Sequence, residues 1–294
     1  VTVGTGSVPR VTVARRDSSA GEGVLSGRRR PAEPGRAGAG RIVAVREGSI
    51  VTGPALIAVL VLLLLLTAAV VGRGGLGSWR AVLVAGARAA VQLAAVSLVI
   101  AGILRSGWLT TGFVLLMFAV ATATSARRIG AARDVLWTGL AIGGGVAPVL
   151  AAVLAAGVVP LRPIAVVPIA GIVIGGAMTA TSQAARRALD ELRTRYGEYE
   201  AALALGLRER DAALEICRPS AGYALIPPLD QTRTVGLVTL PGAYVGVLLG
   251  GAGPVQAGVT QLLVLIGLLA AEALAVLIAV HLVAAGRLHV RWRD

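Results

Sequence analysis

Four polar side chains interrupt otherwise apolar stretches of this 294-residue chain, and they are the places where chemistry can occur: Arg88, Gln92, Asp230 and Glu272. An ionisable group inside a membrane-length apolar segment costs several kcal/mol unless it is paired or hydrated, so each is a functional candidate. Arg88 and Gln92 stand four apart and share a helix face. Either they line a polar path or Arg88 reaches out to lipid phosphates. Glu272 is either protonated or paired with Arg88 from another helix. Asp230, within Pro227-Pro228-Leu229-Asp230-Gln231-Thr232-Arg233, offers a hard oxygen ligand to a hard cation or caps a helix beginning near Thr232. These four residues form the candidate translocation path.

Other chemistry drops out. All 28 basic residues are arginine, so no lysine is available for a G-x-x-x-x-G-K-[ST] phosphate loop or for a Schiff base. A single cysteine, Cys217, allows no internal disulfide, and His281 and His289 alone give no zinc-ligand spacing. Met178 reads as packing. Thr110, Thr111, Thr122, Thr124 and Ser125 read as bonding their own helix carbonyls. No metal site can be assembled from this inventory, and no catalytic residue is expected.

The elements that must position the four candidates are membrane helices. The chain is 56% hydrophobic and 15% charged, against about 25% charge in ordinary globular domains. Seven apolar segments near the ~20 residues that cross a bilayer are read at about 54–72, 81–104, 109–126, 135–159, 163–182, 234–252 and 257–285. Ten-residue alternating strands are absent, so the fold class is an all-α polytopic membrane protein. Trp79, Trp108 and Trp137 mark the starts of three spans, where amphipathic rings favour the interface. Arg73, Arg80, Arg127, Arg128, Arg133 and Arg287 fall on alternate connections. The positive-inside rule then puts the amino terminus outside and the carboxyl terminus in the cytoplasm. Gly143-Gly144-Gly145, Gly175-Gly176, and Gly242 with Gly246 allow close helix approach, read as packing within one subunit.

Residues 1–53 carry nine arginines, four acids and no long apolar run, and read as a disordered basic tail. The chain opens on Val1; a GTG start at Val45 or Val51 is expected to remove most of that tail. Residues 54–294 form the transmembrane domain, with one long inner connection at about 183–233.

That connection reads as helices jointed by glycine. Ala184 to Tyr196 extends the fifth span, and Glu198 to Leu205 forms a short helix with acids in its first turn. Gly206 closes it as a C′ residue, and a second stretch runs toward Pro219. Within it Glu200-Ala201-Ala202, Gly206, Ile216 and Pro219 follow the spacing E-A-A-x3-G-x9-I-x-L-P, with Arg218 in place of the leucine. This resembles the cytoplasmic EAA loop of ABC-transporter permeases. Three further stretches look like FetB-type iron-export permeases, a family related to plant STAR-type aluminium-tolerance permeases. They are Arg88-Ala89-Ala90-Val91-Gln92-Leu93, Pro168-Ile169-Ala170-Gly171 with Gly175, Ala177 and Met178, and Thr234 through Gly242.

The resemblance implies a homodimeric permease in a bacterial plasma membrane that exports a metal ion such as iron. It implies a separate cytosolic ABC ATPase as partner, with ATP and Mg bound there and no cofactor in this chain. Lipid is the expected surrounding and nucleic acid is not an expected partner. Glu200, Ala201, Ala202, Gly206, Ile216 and Pro219 are the residues expected to couple to the ATPase. EAA loops are a hallmark of importers, whereas the longer family match points to export. The alternatives are an ABC permease for another solute or an ion-coupled secondary transporter using Glu272, Asp230 or Arg88.

Overall fold

The computed structural model describes residues 53–103, 106–131 and 133–288. The arginine-rich tail and the start-site expectation at Val45 and Val51 lie outside the described residues. Two compact units divide between Val61 and Leu62. The described part of the first, residues 53–61, is the opening of helix α1 (Pro54–Arg73). The second holds the rest of α1 and every later element: α2 (Trp79–Ile103), α3 (Gly107–Ile129), α4 (Val135–Ala155), α5 (Pro163–Thr194), α6 (Tyr196–Ala204), α7 (Glu209–Gly222), a 3₁₀ turn (Tyr223–Leu225), α8 (Ile226–Thr234), α9 (Gly242–Leu249) and α10 (Pro254–Ala284). The all-α expectation holds. Six of these helices, α1 to α5 and α10, are long and apolar enough to cross a bilayer among the described residues.

Helix α10 is the central element, packed on α4, α5, α7 and α9. It can approach closely because its neighbours present glycine: Gly144 faces Ile278, Gly145 faces Ala271 and Ala275, and Gly176 faces Leu268 and Glu272. A Cβ at any of these positions would collide, so these glycines serve packing within the subunit. One core layer, with Ile142, Val173, Ala177 and Ala271, fills the middle of the bundle. A second, with Ile129, Ala184, Ala188, Cys217 and Val280, fills the end that carries Arg127, Arg128 and Arg287.

Helices α5 and α10 run in the same direction. Their opening turns border one cavity through Ile164, Pro168, Gln256 and Thr260, and their later turns share the core layer at the arginine-bearing end. The chain between them must therefore travel back along the bundle. It does so through α7, the 3₁₀ turn and α8, which are 14, 3 and 9 residues long, a jointed helical rod of roughly 40 Å. Ala213 in α7 lies beside Val283 and Ala284, while Gln231 in α8 reaches Pro168 and Gln256 at the opposite end.

This corrects the sixth span. Residues 234–252 form a tight turn, bridged between Val235 and Thr239, followed by the eight residues of α9. That helix is roughly 12 Å long, short of the ~30 Å hydrocarbon core. Six membrane-length helices remain among the described residues, and the return between α5 and α10 runs through what the sequence presents as an inner loop. Hydropathy misses the rod because it contains Arg218, Asp230, Arg233 and three prolines, and judges a helix as if lipid surrounded it. Of the rod, α7 packs one face on α5 and α10, while α8 has no buried residue and lines the cavity with Gln231.

Within the second unit, α1 and α2 form a hairpin in which Gly72 meets Trp79 and Gly86 meets Leu64. None of the described side chains of α2 is buried.

Candidate translocation cavity and docking elbow

The arginine-bearing end carries an elbow made by α6 and the start of α7. Arg195 ends α5 and donates from Nε to Glu198 Oε1 at 2.8 Å and from Nη2 to Oε2, with Glu191 Oε1 at 3.5 Å. The guanidinium holds the Glu198 carboxyl below the usual glutamate range, and its own proton is held more tightly in return. Burial pushes the Tyr199 hydroxyl up, helped by the charges of Glu209 and Tyr196. Gly206 has φ +91°. Its N–H donates to Leu203 O at 2.9 Å, and Leu207 N–H donates to Ala202 O at 3.1 Å. This is a Schellman closure with glycine at C′, as the sequence pattern requires.

The six expected coupling residues separate into two groups. Glu200 and Ala201 are exposed on α6, Ala202 is half-buried, and Gly206 is exposed at the joint. Ile216 instead faces inward from α7 with Ala212, Ala213 and Cys217, where Cys217 Sγ donates to Ala188 O at 3.5 Å. Pro219 is exposed and lies inside α7 rather than at its end.

At the opposite end a cavity of about 930 Å³ opens between α5, α8, α9 and α10. Its walls are apolar except for Gln231, Gln256, Thr260 and Gln261. Gln261 is buried, and its Oε1 accepts the Tyr244 backbone N–H at 3.1 Å, which ties α9 to α10. Gly242 and Gly246 line this cavity with open space beside them, rather than packing against a helix of the same chain. The cavity ends at Leu268, one helical turn before Glu272.

The four path candidates are not gathered at one point. Glu272 is 6% exposed, its Oε2 has no hydrogen-bond partner, and a Cβ on Gly176 would stand 2.5 Å from its Oε1. Pairing with Arg88 is not formed. Arg88 and Gln92 are both exposed on α2, a helix that packs mainly on α3. Asp230 does not cap a helix, because α8 begins four residues earlier at Ile226. Its carboxylate instead lies 3.4 Å from Arg233 Nη1. No group of three or more His, Cys, Asp or Glu converges among the described residues.

Residues 54–286, from α1 to just beyond α10, match the family described as Uncharacterised protein family (UPF0014). The chain belongs to the UPF0014 family. It is similar to Protein ALUMINUM SENSITIVE 3 of Arabidopsis thaliana, 35% identical over 161 residues that cover 54% of this chain and 59% of the relative. It is 30% identical over 199 residues to UPF0014 membrane protein STAR2 of Oryza sativa subsp. japonica, covering 67% of this chain and 70% of that one. It is 33% identical over 143 residues to Probable iron export permease protein FetB of Escherichia coli (strain K12), covering 49% and 54%. The matched part thus spans about three-fifths of the Arabidopsis relative's length. No solved structure matches.

In this UPF0014 chain the sequence reading passed over the polar cavity side chains. Gln256 and Thr260 stand four apart in the uncharged opening of α10, spacing that puts them on one face, and Gln261 follows directly. That signal was present. Gln231 carried none, because its helix did not read as part of the bundle.

Proposed function

We propose that this multi-pass membrane protein is the permease subunit of an ATP-driven transporter, docking through α6 on a separate cytosolic ATPase and exporting a metal cation such as iron. The observation that carries this reading is the continuity of α6, the Gly206 joint, α7 and α8. An exposed helix at one end of the bundle is linked by a jointed rod to the wall of a cavity at the other. A short helix seated in a partner's cleft passes rigid-body motion along such a link. The cargo and direction come from the likeness to the relative named as an iron export permease. The positive-inside rule assigns the α6 end to the cytoplasm, so the cavity faces outward.

A second copy of the chain fits the α2 face. Arg88 lies nine residues into α2, roughly 14 Å from Trp79, and lipid is a costly surrounding for it and for Gln92. A partner subunit covers both.

The test is Gly206→Pro. Proline cannot adopt the φ of +91° at this joint. In liposomes containing permease and ATPase, ATP-driven cation movement should fall about tenfold or more, while membrane insertion and ATPase association persist; unchanged transport rejects the coupling role. The buried, unpaired Glu272 favours one competing reading, ion-coupled transport without an ATPase. Full-rate transport by the permease alone selects it.

A further inference from the structure

We infer that Glu272 is the charged ligand of a transient binding site for a hard divalent cation, which is released past Leu268 into the α5–α9–α10 cavity. This rests on the reading of the chain as a cation permease and names where the cation is held.

Among the described residues no other acidic side chain is buried. A carboxylate enclosed in an apolar bundle requires a compensating charge or hydrogen bonds. Glu272 Oε2 has neither from this chain. The carboxylate is accommodated by a specific absence: Gly176 lacks the Cβ that would stand 2.5 Å from Oε1.

The way out of the site is chemically matched. The cavity lining includes no charged residue, whereas the other end of the bundle gathers Arg128, Arg186 and Arg187 about one groove. A cation meets no fixed positive charge on the cavity side. Gln256, Thr260 and Gln261 present amide and hydroxyl oxygens of the kind hard cations accept. The same helix then continues through Val264, Leu265 and Leu268 to Glu272, which lies roughly 16 Å below Gln261. A single carboxylate suits a site that must release its ion, as conduction requires weak binding. Storage or structural binding would need the larger acidic cluster that the described residues do not form.

Manganese(II) provides a hard divalent probe with an electron paramagnetic resonance signal. The purified permease in nanodiscs, without ATPase, should retain Mn(II). Glu272→Gln, which keeps the shape and removes the charge, should weaken retention at least about tenfold, the lower bound even for disturbing an outer-shell partner. Glu272→Asp keeps the charge and should stay closer to wild type than Glu272→Gln, which a packing role would not produce. Glu215→Gln, an exposed site, should change nothing. Equal retention by wild type and a folded Glu272→Gln protein overturns the inference, as does a wild-type protein that retains no Mn(II) at millimolar concentration. Because no ATPase is present, these outcomes are independent of the coupling test. Glu272-dependent binding with ATP-independent transport rejects the proposed function alone, and ATP-driven transport with Glu272-independent binding rejects this site alone.

Discussion

At the end of the bundle that carries α6, helices α5, α7 and α10 meet through Ala184, Ala188, Ala213 and Ala284, and the grooves there are about 330 and 360 Å³. At the other end the same α5 and α10 stand apart around about 930 Å³. The contrast follows from side-chain size. Small residues let three helices close on one another, while α9, which ends at Leu249, fills only part of the opposite gap. The bundle thus has one dense end and one hollow end, and the rod of α7, the 3₁₀ turn and α8 joins them.

Thiol labelling gives the largest expected contrast. The single native cysteine, Cys217, is fully buried at the dense end, while Gly246 lines the cavity with open space where a side chain would grow. A membrane-impermeant methanethiosulfonate should modify Gly246→Cys at least about tenfold faster than Cys217, since thiol reaction requires access. Mass spectrometry of labelled vesicles resolves the two sites. Equal rates would mean that the ends do not differ in solvent access.

Bulk added to each end should separate stability from transport. Ala188→Leu forces an isopropyl group into the seam where Cys217 meets the Ala188 carbonyl. Overpacking of this kind costs about 1–3 kcal/mol, read as a lower unfolding temperature in detergent. Gly246→Leu places a whole isobutyl side chain in the cavity, so the unfolding temperature should hold while cation flux drops. A protein in which both variants lose stability alike has no hollow end.

The apolar helices were legible from the sequence because lipid-facing segments must be apolar along their length. The expected 135–159 and 257–285 lie close to Val135–Ala155 and Pro254–Ala284. The rod was illegible for the complementary reason: α7 buries only one face, against α5 and α10, and α8 buries no residue, so prolines and charge sit on their open sides. Hydropathy moved that crossing downstream to the apolar but turn-forming stretch from Val235 to Leu249. The elbow was legible at residue level because Gly206 supplies a backbone conformation that few other residues adopt. Glu272 could be flagged by burial logic alone, but its relation to Gly176 and Leu268 depends on how α5 and α10 align, which no local pattern encodes.

The smallest effect tests the contrast at its midpoint, on two hydroxyls one turn apart in α3. Ser182 Oγ donates to Met178 O at 2.7 Å, which leaves Ser125 to donate to Ser182 Oγ at 2.9 Å. Nearer the hollow end, Thr122 Oγ1 is buried with no hydrogen-bond partner, beside Gly139. Ser125→Ala therefore removes a made bond and should destabilise by about 0.6 kcal/mol, the average for such bonds between membrane helices. Thr122→Val replaces an unsatisfied hydroxyl by a methyl of the same shape and should be neutral or stabilising, because a buried polar atom without a partner carries its full desolvation cost. Opposite signs in equilibrium unfolding support the packing described at both positions. A loss of stability on Thr122→Val would instead show that its hydroxyl has a partner, and that polar access extends from the cavity side farther along α3 than the side chains indicate.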